Sequence, residues 1–276
     1  MINTKPGDAA QSRLERHGEV ALLRMVNSAR MNPLTDQLQR ELLAHLDAVA
    51  TDTSLRALVL TGEGRAFCVG ADLASMARVP ANGRTLGQET GELMRKGTNP
   101  LVLALRRLPV PVVVALNGAA AGAGVGLALA GDLTIASMDA YFLMPFLPRL
   151  GIVPDMGSSW FLERRVGRAR AMGLALLGDR LDGPTAAAWG LIWACDAADG
   201  AALDSQALAL ATRLAQAPAH AVQEARALFD AAASQALPEQ LAYEADRQEL
   251  LIDREAFREG ATAFVERREP RFPRRA

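Results

Sequence analysis

Cysteine, histidine and aromatic residues are scarce in this chain of 276 residues. Two cysteines cannot build a disulfide framework, and three scattered histidines show no metal-ligand spacing, so we expect a reduced, cytoplasmic protein without a bound metal. Aromatic residues make up 5% of the chain and its formal net charge is -1. The sequence therefore lacks the stacking platforms and the positive excess of a nucleic-acid-binding protein.

Long apolar runs are equally scarce. The first residues are polar and contain no secretory signal. Residues 108–131 carry no charge and are long enough to cross a bilayer, but prolines and glycines punctuate them. We interpret this stretch as a buried strand, a turn and a buried helix, and we expect no membrane partner.

The order of the predicted elements indicates an α/β protein. Residues 1–18 read as a flexible leader, and strand–helix units follow, with apolar strand patterns at 55–61 and 111–116. Residues 32–35 open a predicted helix that continues to Ala50, and the Gly- and polar-rich residues 80–91 predict a mobile loop. From residue 158 onward the pattern is mostly helical, with helices expected at roughly 158–166, 168–177, 184–189, 201–217, 219–233 and 238–268. We expect a core at 19–200 and a helical region at 201–276.

Two glycine-rich segments follow the two apolar strands. Residues 64–73 could present free backbone N–H groups to an anion, or form a tight turn with Asp72 as a helix cap. Residues 117–126 allow a close approach to the backbone, or simply close helix packing. They match neither the dinucleotide fingerprint nor a phosphate loop.

A third segment, 150–159, carries a lone carboxylate, Asp155, between apolar stretches. Burial among its apolar neighbours would raise the pKa of Asp155 and suit it to proton transfer. These neighbours are Phe146, Leu147, Ile152, Val153 and Trp160. The alternative is that Asp155 caps the next helix.

Together these segments resemble the crotonase superfamily of enoyl-CoA hydratases and isomerases. The motifs fall in order at 62–73, 117–132, 150–157, 166–172, 181–192 and 260–268. The resemblance implies a spiral of ββα units with a C-terminal helical trimerisation region, and a homotrimer or dimer of trimers. It also implies an acyl-CoA thioester substrate and no cofactor beyond the coenzyme A of that substrate.

The resemblance also implies site residues. The backbone N–H groups of Ala71 and Ala123 would form an oxyanion hole, which stabilises the enolate formed when a proton leaves the carbon next to the thioester. The residues implied to bind coenzyme A or substrate are Arg30, Met31, Ala66, Cys68, Gly70, Asp72, Leu73, Gly122, Phe264 and Arg267.

The chain departs from the hydratases of this superfamily at both water-activating glutamates, which fall on Gly126 and Leu147. Neither residue can deprotonate water. Asp155 occupies the position where certain isomerases of the superfamily carry their working acid. The sequence therefore favours an isomerase that shifts a double bond or rearranges an aryl epoxide, with Asp155 as acid and base. Hydration, and binding of acyl-CoA without catalysis, are the alternatives.

Overall fold

A computed structural model describes residues 9–73 and 83–275. The strands are β1 Ser12–His17, β2 Val20–Met25, β3 Ala57–Gly62, β4 Ala66–Cys68, β5 Val112–Leu116, β6 Ala119–Ala121, β7 Leu133–Ser137, β8 Tyr141–Leu143, β9 Leu181–Asp182 and β10 Ala194–Ala197. The helices are α1 Asp36–Thr51, α2 Leu86–Leu93, α3 Asn99–Arg107, α4 Ala123–Leu129, α5 Ser158–Leu177, α6 Gly183–Ala188, α7 Gly200–Ala215, α8 Ala221–Ala232, α9 Leu237–Ile252 and α10 Glu255–Glu266. Single π-helical turns lie at Met94–Thr98 and Phe146–Leu150.

The strands form two sheets whose members alternate along the chain. The larger sheet has the order β1-β2-β3-β5-β7-β10 and the smaller has the order β4-β6-β8-β9. Strands β2, β3, β5, β7 and β10 run parallel, as do β4, β6 and β8. Strands β3, β5 and β7 are each followed by a short strand of the other sheet, and the mixture of parallel strands and helices confirms the predicted α/β class.

Both faces of the larger sheet are buried. In β3, Leu58 and Leu60 face the main core, whereas Ala57 and Val59 pack with β5 residues against α7. Alternate residues of a strand point to opposite faces, so a strand covered on both sides reads as a continuous apolar run. This explains the uninterrupted pattern that predicted β3 and β5. The uncharged stretch at 108–131 forms β5 and α4, as predicted, but the short strand β6 lies where only a turn was expected.

The amino-terminal prediction is wrong from Ser12 onward. Residues 12–17 are not a leader but form β1, which pairs antiparallel with β2. The carboxylate of Glu41 accepts hydrogen bonds from the backbone N–H groups of Gln11 and Ser12 at 2.9 and 2.8 Å, and so fixes the start of this strand. Residues 1–8 lie outside the described part of the chain.

The carboxyl-terminal region is helical, as predicted, but its helices have different bounds. Strand β10 precedes α7, and the single helix expected over 238–268 is two helices that meet at Asp253 and Arg254. The predicted break within 158–177 is confirmed, since Gly167 has φ 75° and ψ 165° inside α5. Within the described residues, no helix is long and apolar enough to span a membrane.

Candidate active site

The turn between β3 and β4 is held by two asparagine side chains. The Nδ2 of Asn32 donates to the carbonyls of Glu63 and Ala66 at 3.1 and 2.8 Å. The Nδ2 of Asn117, at the end of β5, donates to the carbonyl of Gly64 at 2.8 Å. These bonds tie the turn to the end of the neighbouring strand, so the chain that continues to residue 71 begins from a fixed point.

Gly70 brings the two predicted oxyanion donors into one region. A Cβ on Gly70 would lie 2.8 Å from the backbone nitrogen of Ala123 and 2.8 Å from the carbonyl oxygen of Ala121. Gly70 also has φ +85°, which favours glycine. Ala71 is the next residue and Ala123 is the first residue of α4, whose N–H has no partner within its own helix. The predicted donors therefore occupy adjoining segments of backbone.

A second glycine supports the same junction from α4. A Cβ on Gly124 would lie 2.1 Å from the carbonyl oxygen of Cys68. Cys68 is fully buried, and desolvation raises the pKa of its thiol to about 12. This thiol is therefore a packing group and not a nucleophile at neutral pH.

One oxygen of the Asp155 carboxyl is buried, although the residue as a whole is partly exposed. Its Oδ1 has no hydrogen-bond partner among the described residues. Burial raises the pKa of Asp155 to about 6, against a weaker lowering by its own backbone N–H. The expected cap is not formed: α5 has Gly157 as its N-cap without a side-chain hydrogen bond, and only the carbonyl of Asp155 bonds to Ser158.

The apolar environment of Asp155 differs in part from the expectation. Phe146 is buried, and its ring lies 3.9 Å from a Cβ built on Gly122, next to the predicted oxyanion donors. Leu147, Ile152 and Val153 are exposed, so they do not belong to the buried core as Phe146 does.

The residues expected to bind coenzyme A divide into two groups. Arg30 is exposed and donates to Asp72 at 2.9 Å, which joins the segment before α1 to the segment after β4. Met31 has a left-handed backbone, and the buried Ala66 and Cys68 offer a ligand only their backbone. The helix that Asp72 was expected to cap would lie in 74–82, outside the described residues, and Leu73 at its border is exposed.

Phe264 and Arg267 form the other group, at the end of α10. The ring of Phe264 is 85% exposed, and Arg267 ends the helix with φ 54°. A ligand contact from these residues therefore stays a prediction.

A cavity of about 460 Å³ lies at the opposite end of α4, next to Gly131 and Asp132. Helix α4 has seven residues, so it separates this cavity from the oxyanion donors by about 10 Å. Arg226 on its wall pairs with Asp132 at 2.6 Å and donates to three main-chain carbonyls. These contacts join α8 to the core, and the cavity is not part of the site. Among the described residues, no group of three or more acidic, cysteine or histidine side chains could hold a metal ion.

The two alternating sheets and the paired backbone segments define the class of protein. Residues 15–275 match the sequence profile of the Enoyl-CoA hydratase/isomerase family, and the chain belongs to this family. It is 40% identical over 253 residues to the "1,2-epoxyphenylacetyl-CoA isomerase" of Escherichia coli, covering 92% of this chain and 94% of that protein. It is also 40% identical over 242 residues to a "Probable enoyl-CoA hydratase" of Rhodobacter capsulatus, covering 88% and 90%.

Solved structures have the same fold. An enoyl-CoA hydratase from Polaromonas superposes with a TM-score of 0.85 at 30% identity, covering 95% of this chain and 99% of that one. The crotonase fold expected from the motifs is confirmed.

Two residues that hold the backbone around the candidate site were not predicted from the sequence. Asn32 was interpreted only as the start of the segment that opens the first helix, and Met156, with φ 50°, was not considered. The bonds of Asn32 reach the carbonyls of Glu63 and Ala66, far along the chain, so no local signal could have predicted them. No local signal marked Met156.

Proposed function

We propose that this chain is an acyl-CoA isomerase that shifts a double bond, or rearranges an aryl epoxide, through an enolate. Asp155 is the acid and base, and the N–H groups of Ala71 and Ala123 form the oxyanion hole. The observation that carries the proposal is the buried Oδ1 of Asp155, which has no hydrogen-bond partner among the described residues, together with the raised pKa of the carboxyl, about 6. The absence of carboxylates at Gly126 and Leu147 supports it.

Each residue has one task in this reaction. As the thioester loses a proton from carbon, negative charge grows on its oxygen, and two fixed N–H donors stabilise that charge. The ionised Asp155 accepts the proton and returns it to another carbon, and its pKa near neutrality allows both transfers. No cofactor is needed beyond the coenzyme A of the substrate, which we place near Arg30, Met31 and Asp72.

The test compares wild type with Asp155→Asn on a β,γ-enoyl-CoA ester, on epoxyphenylacetyl-CoA and on crotonyl-CoA with water. We expect wild type to isomerise at least one of the first two. Asp155→Asn should lower kcat by about 100-fold or more, since general acid–base catalysis contributes that much. Ester binding, measured by calorimetry, should be unchanged.

The matched control is Asp139→Asn, which removes an exposed carboxylate from the turn between β7 and β8. It should leave kcat unchanged. Full activity in Asp155→Asn would refute the assignment, and binding of all esters without turnover would support a non-catalytic acyl-CoA binder.

Hydration is the second candidate, because one relative at 40% identity bears the hydratase name. The residues at 126 and 147 argue against it, since glycine and leucine cannot hold or deprotonate water. Hydration of crotonyl-CoA that is faster than any isomerisation would establish this alternative.

The proposal includes a cytoplasmic homotrimer or a dimer of trimers. The two cysteines are unpaired, as in reducing compartments. Large apolar side chains are exposed on the three last helices, among them Phe229, Leu237 and Phe264. Exposed apolar surface of this kind is typical of subunit contacts.

A further inference from the structure

The cavity next to Gly131 and Asp132 lies between the core and α8. Apolar side chains from both sides form much of its wall, among them Pro109, Val110, Leu214, Val222 and Phe229. Its volume of about 460 Å³ lies within the range of small-molecule sites, roughly 300–1,000 Å³. The cavity is therefore large enough to enclose a small apolar molecule.

Positive charges outnumber negative charges on the same wall. The charged residues that line the cavity, within the described part of the chain, are Arg56, Arg106, Arg165, Arg226, Arg275, Asp132 and Asp230. Arg226 is neutralised by Asp132, at 2.6 Å. Arg106 is neutralised by Asp230, at 3.1 Å. The other three arginines leave an excess of positive charge around an apolar space.

These three guanidinium groups have main-chain carbonyls as their partners, and none is paired with a carboxylate of the described residues. Arg165 donates to three carbonyls, of which that of Leu129 is closest at 2.6 Å. Arg56 and Arg275 also donate to carbonyls, and the Nε of Arg275 is buried without a hydrogen-bond partner among the described residues. A carbonyl satisfies an N–H group but does not neutralise its charge, so the positive excess remains.

Arg165 shows that this charge is unfavourable in its surroundings. Burial lowers the pKa of Arg165 to about 10, and the nearby Arg106 acts in the same direction, whereas Asp132 opposes both. The guanidinium keeps its charge at neutral pH, although its charged form is less stable here than in water. A negative charge inside the cavity would therefore be attracted to this wall.

We propose that the cavity binds a small apolar carboxylate, whose hydrocarbon part packs against α8 and whose carboxylate lies beside the arginines. The apolar wall and the positive excess each recognise one half of such a ligand. A multiply charged anion such as phosphate fits less well, because burying it against apolar side chains costs more. The inference goes beyond the proposed function, since Asp155 and the oxyanion donors take no part in this site.

The test is calorimetric titration of the wild-type protein with octanoate at pH 7, where the ligand is ionised. Octan-1-ol and octylamine have the same chain length without the negative charge. We expect one octanoate per chain, with an affinity at least about 10-fold higher than that of octan-1-ol, because hydrogen bonds between charged groups are the stronger ones. Octylamine, which is a cation at this pH, should bind more weakly than both. Equal binding of octanoate and octan-1-ol, or no binding of octanoate, would refute the proposal.

Ala225→Trp tests the place of binding. Ala225 lines the cavity from α8, so an indole there would occupy space that the ligand needs. The affinity for octanoate should fall at least about 10-fold. Ala227→Trp is the matched control, at an exposed alanine of the same helix that lies outside the cavity wall, and its affinity should stay within about twofold of wild type. Wild-type affinity in Ala225→Trp would show that octanoate binds elsewhere and would overturn the proposal.

A second pair of variants keeps the proposal testable if Ala225→Trp does not fold. Val222→Glu supplies a carboxylate to the cavity from the chain itself, and Val222→Gln has the same shape without the charge. The glutamate variant should melt about 2 °C or more above the glutamine variant at pH 7, and it should bind octanoate at least about 10-fold more weakly. If the glutamate variant melts at the same or a lower temperature, the positive excess is refuted. Neither measurement depends on catalysis, so the outcome is separate from that of the Asp155→Asn test.

Discussion

The Asp155 carboxyl makes the free energy of unfolding depend on pH. Its pKa is about 6 in the folded protein and 3.8 in the unfolded chain, so the folded state binds the proton more tightly. Protonation therefore stabilises the fold at low pH, and this stabilisation disappears as the pH rises from about 4 to above 6. The difference of about two pKa units corresponds to about 3 kcal/mol.

Because the ionised carboxyl is less stable in the folded protein than in the unfolded chain, we predict that Asp155→Asn stabilises the protein at high pH. In urea unfolding at pH 8, the variant should exceed wild type by up to about 3 kcal/mol, and at pH 4 by less than about 1 kcal/mol. Asp139→Asn corrects for the general effect of removing a carboxylate. An advantage of equal size at both pH values would show that Asp155 is not desolvated in the folded protein.

At the scale of secondary-structure elements, glycines allow backbone segments of different elements to lie in close contact. Gly124 faces the carbonyl of Cys68 from one side of α4, and Gly126 faces Met156 from another. The same short helix thus contacts the segment before the predicted oxyanion donor Ala71 and the segment after Asp155, the proposed acid. Its two glycines allow both close approaches.

We predict that Gly124→Ala destabilises the protein, although alanine usually strengthens a helix by about 0.5–1 kcal/mol relative to glycine. The added Cβ would lie 2.1 Å from the Cys68 carbonyl and would push apart the two segments that hold the donors. The melting temperature should fall, and kcat should fall by about 100-fold as one donor loses its position. Gly87→Ala in α2, with no atom closer than 3.9 Å, should do neither.

The elements that the sequence predicts well are those with local causes. The core strands β3 and β5 are visible as apolar runs, and α1 is visible from its spacing and from Thr35, whose side chain accepts from Leu38. Strand β1 was missed because the Glu41 carboxylate that fixes it is distant in sequence. The start of α2 was assigned to a mobile loop at 80–91, of which 80–82 lie outside the described residues, although Thr85 and Gln88 form a capping box that is readable as Thr-x-x-Gln.

The sequence predicts the candidate site about as well as it predicts the elements of the fold. The motifs marked the turn, the donors and Asp155, because each is a run of residues adjacent in sequence. The contact between Gly126 and Met156 joins residues on different elements, and no local pattern distinguishes it from helix packing. The cap expected at Asp155 failed because Gly157, with φ 76°, serves as the N-cap and leaves the carboxyl free of that role.

At the scale of the whole molecule, the last three helices are attached to the core by specific contacts. The Arg226 guanidinium on α8 binds Asp132 at the end of α4 and the carbonyls of Arg106, Leu108 and Val110. Beyond this anchor, α9 and α10 bury few of their own side chains. Amphipathic helices of this kind gain most of their stability by packing an apolar face, so we expect a second copy of the chain to cover it.

This expectation predicts that Leu237→Glu together with Leu241→Glu dissociates the oligomer. Both leucines lie on α9 and are more than half exposed in the single chain. Two charges buried in a subunit contact without partners cost several kcal/mol, enough to shift the assembly toward monomers. Light scattering after size exclusion should give three or six chains for wild type and one for the variant.

Met138→Glu, at a similarly exposed residue in the turn between β7 and β8, should keep the wild-type mass. If the double variant also keeps it, α9 does not form the subunit contact. If it is monomeric and fully active, the residues that bind coenzyme A belong to one chain, and Phe264 is not supplied by a neighbour.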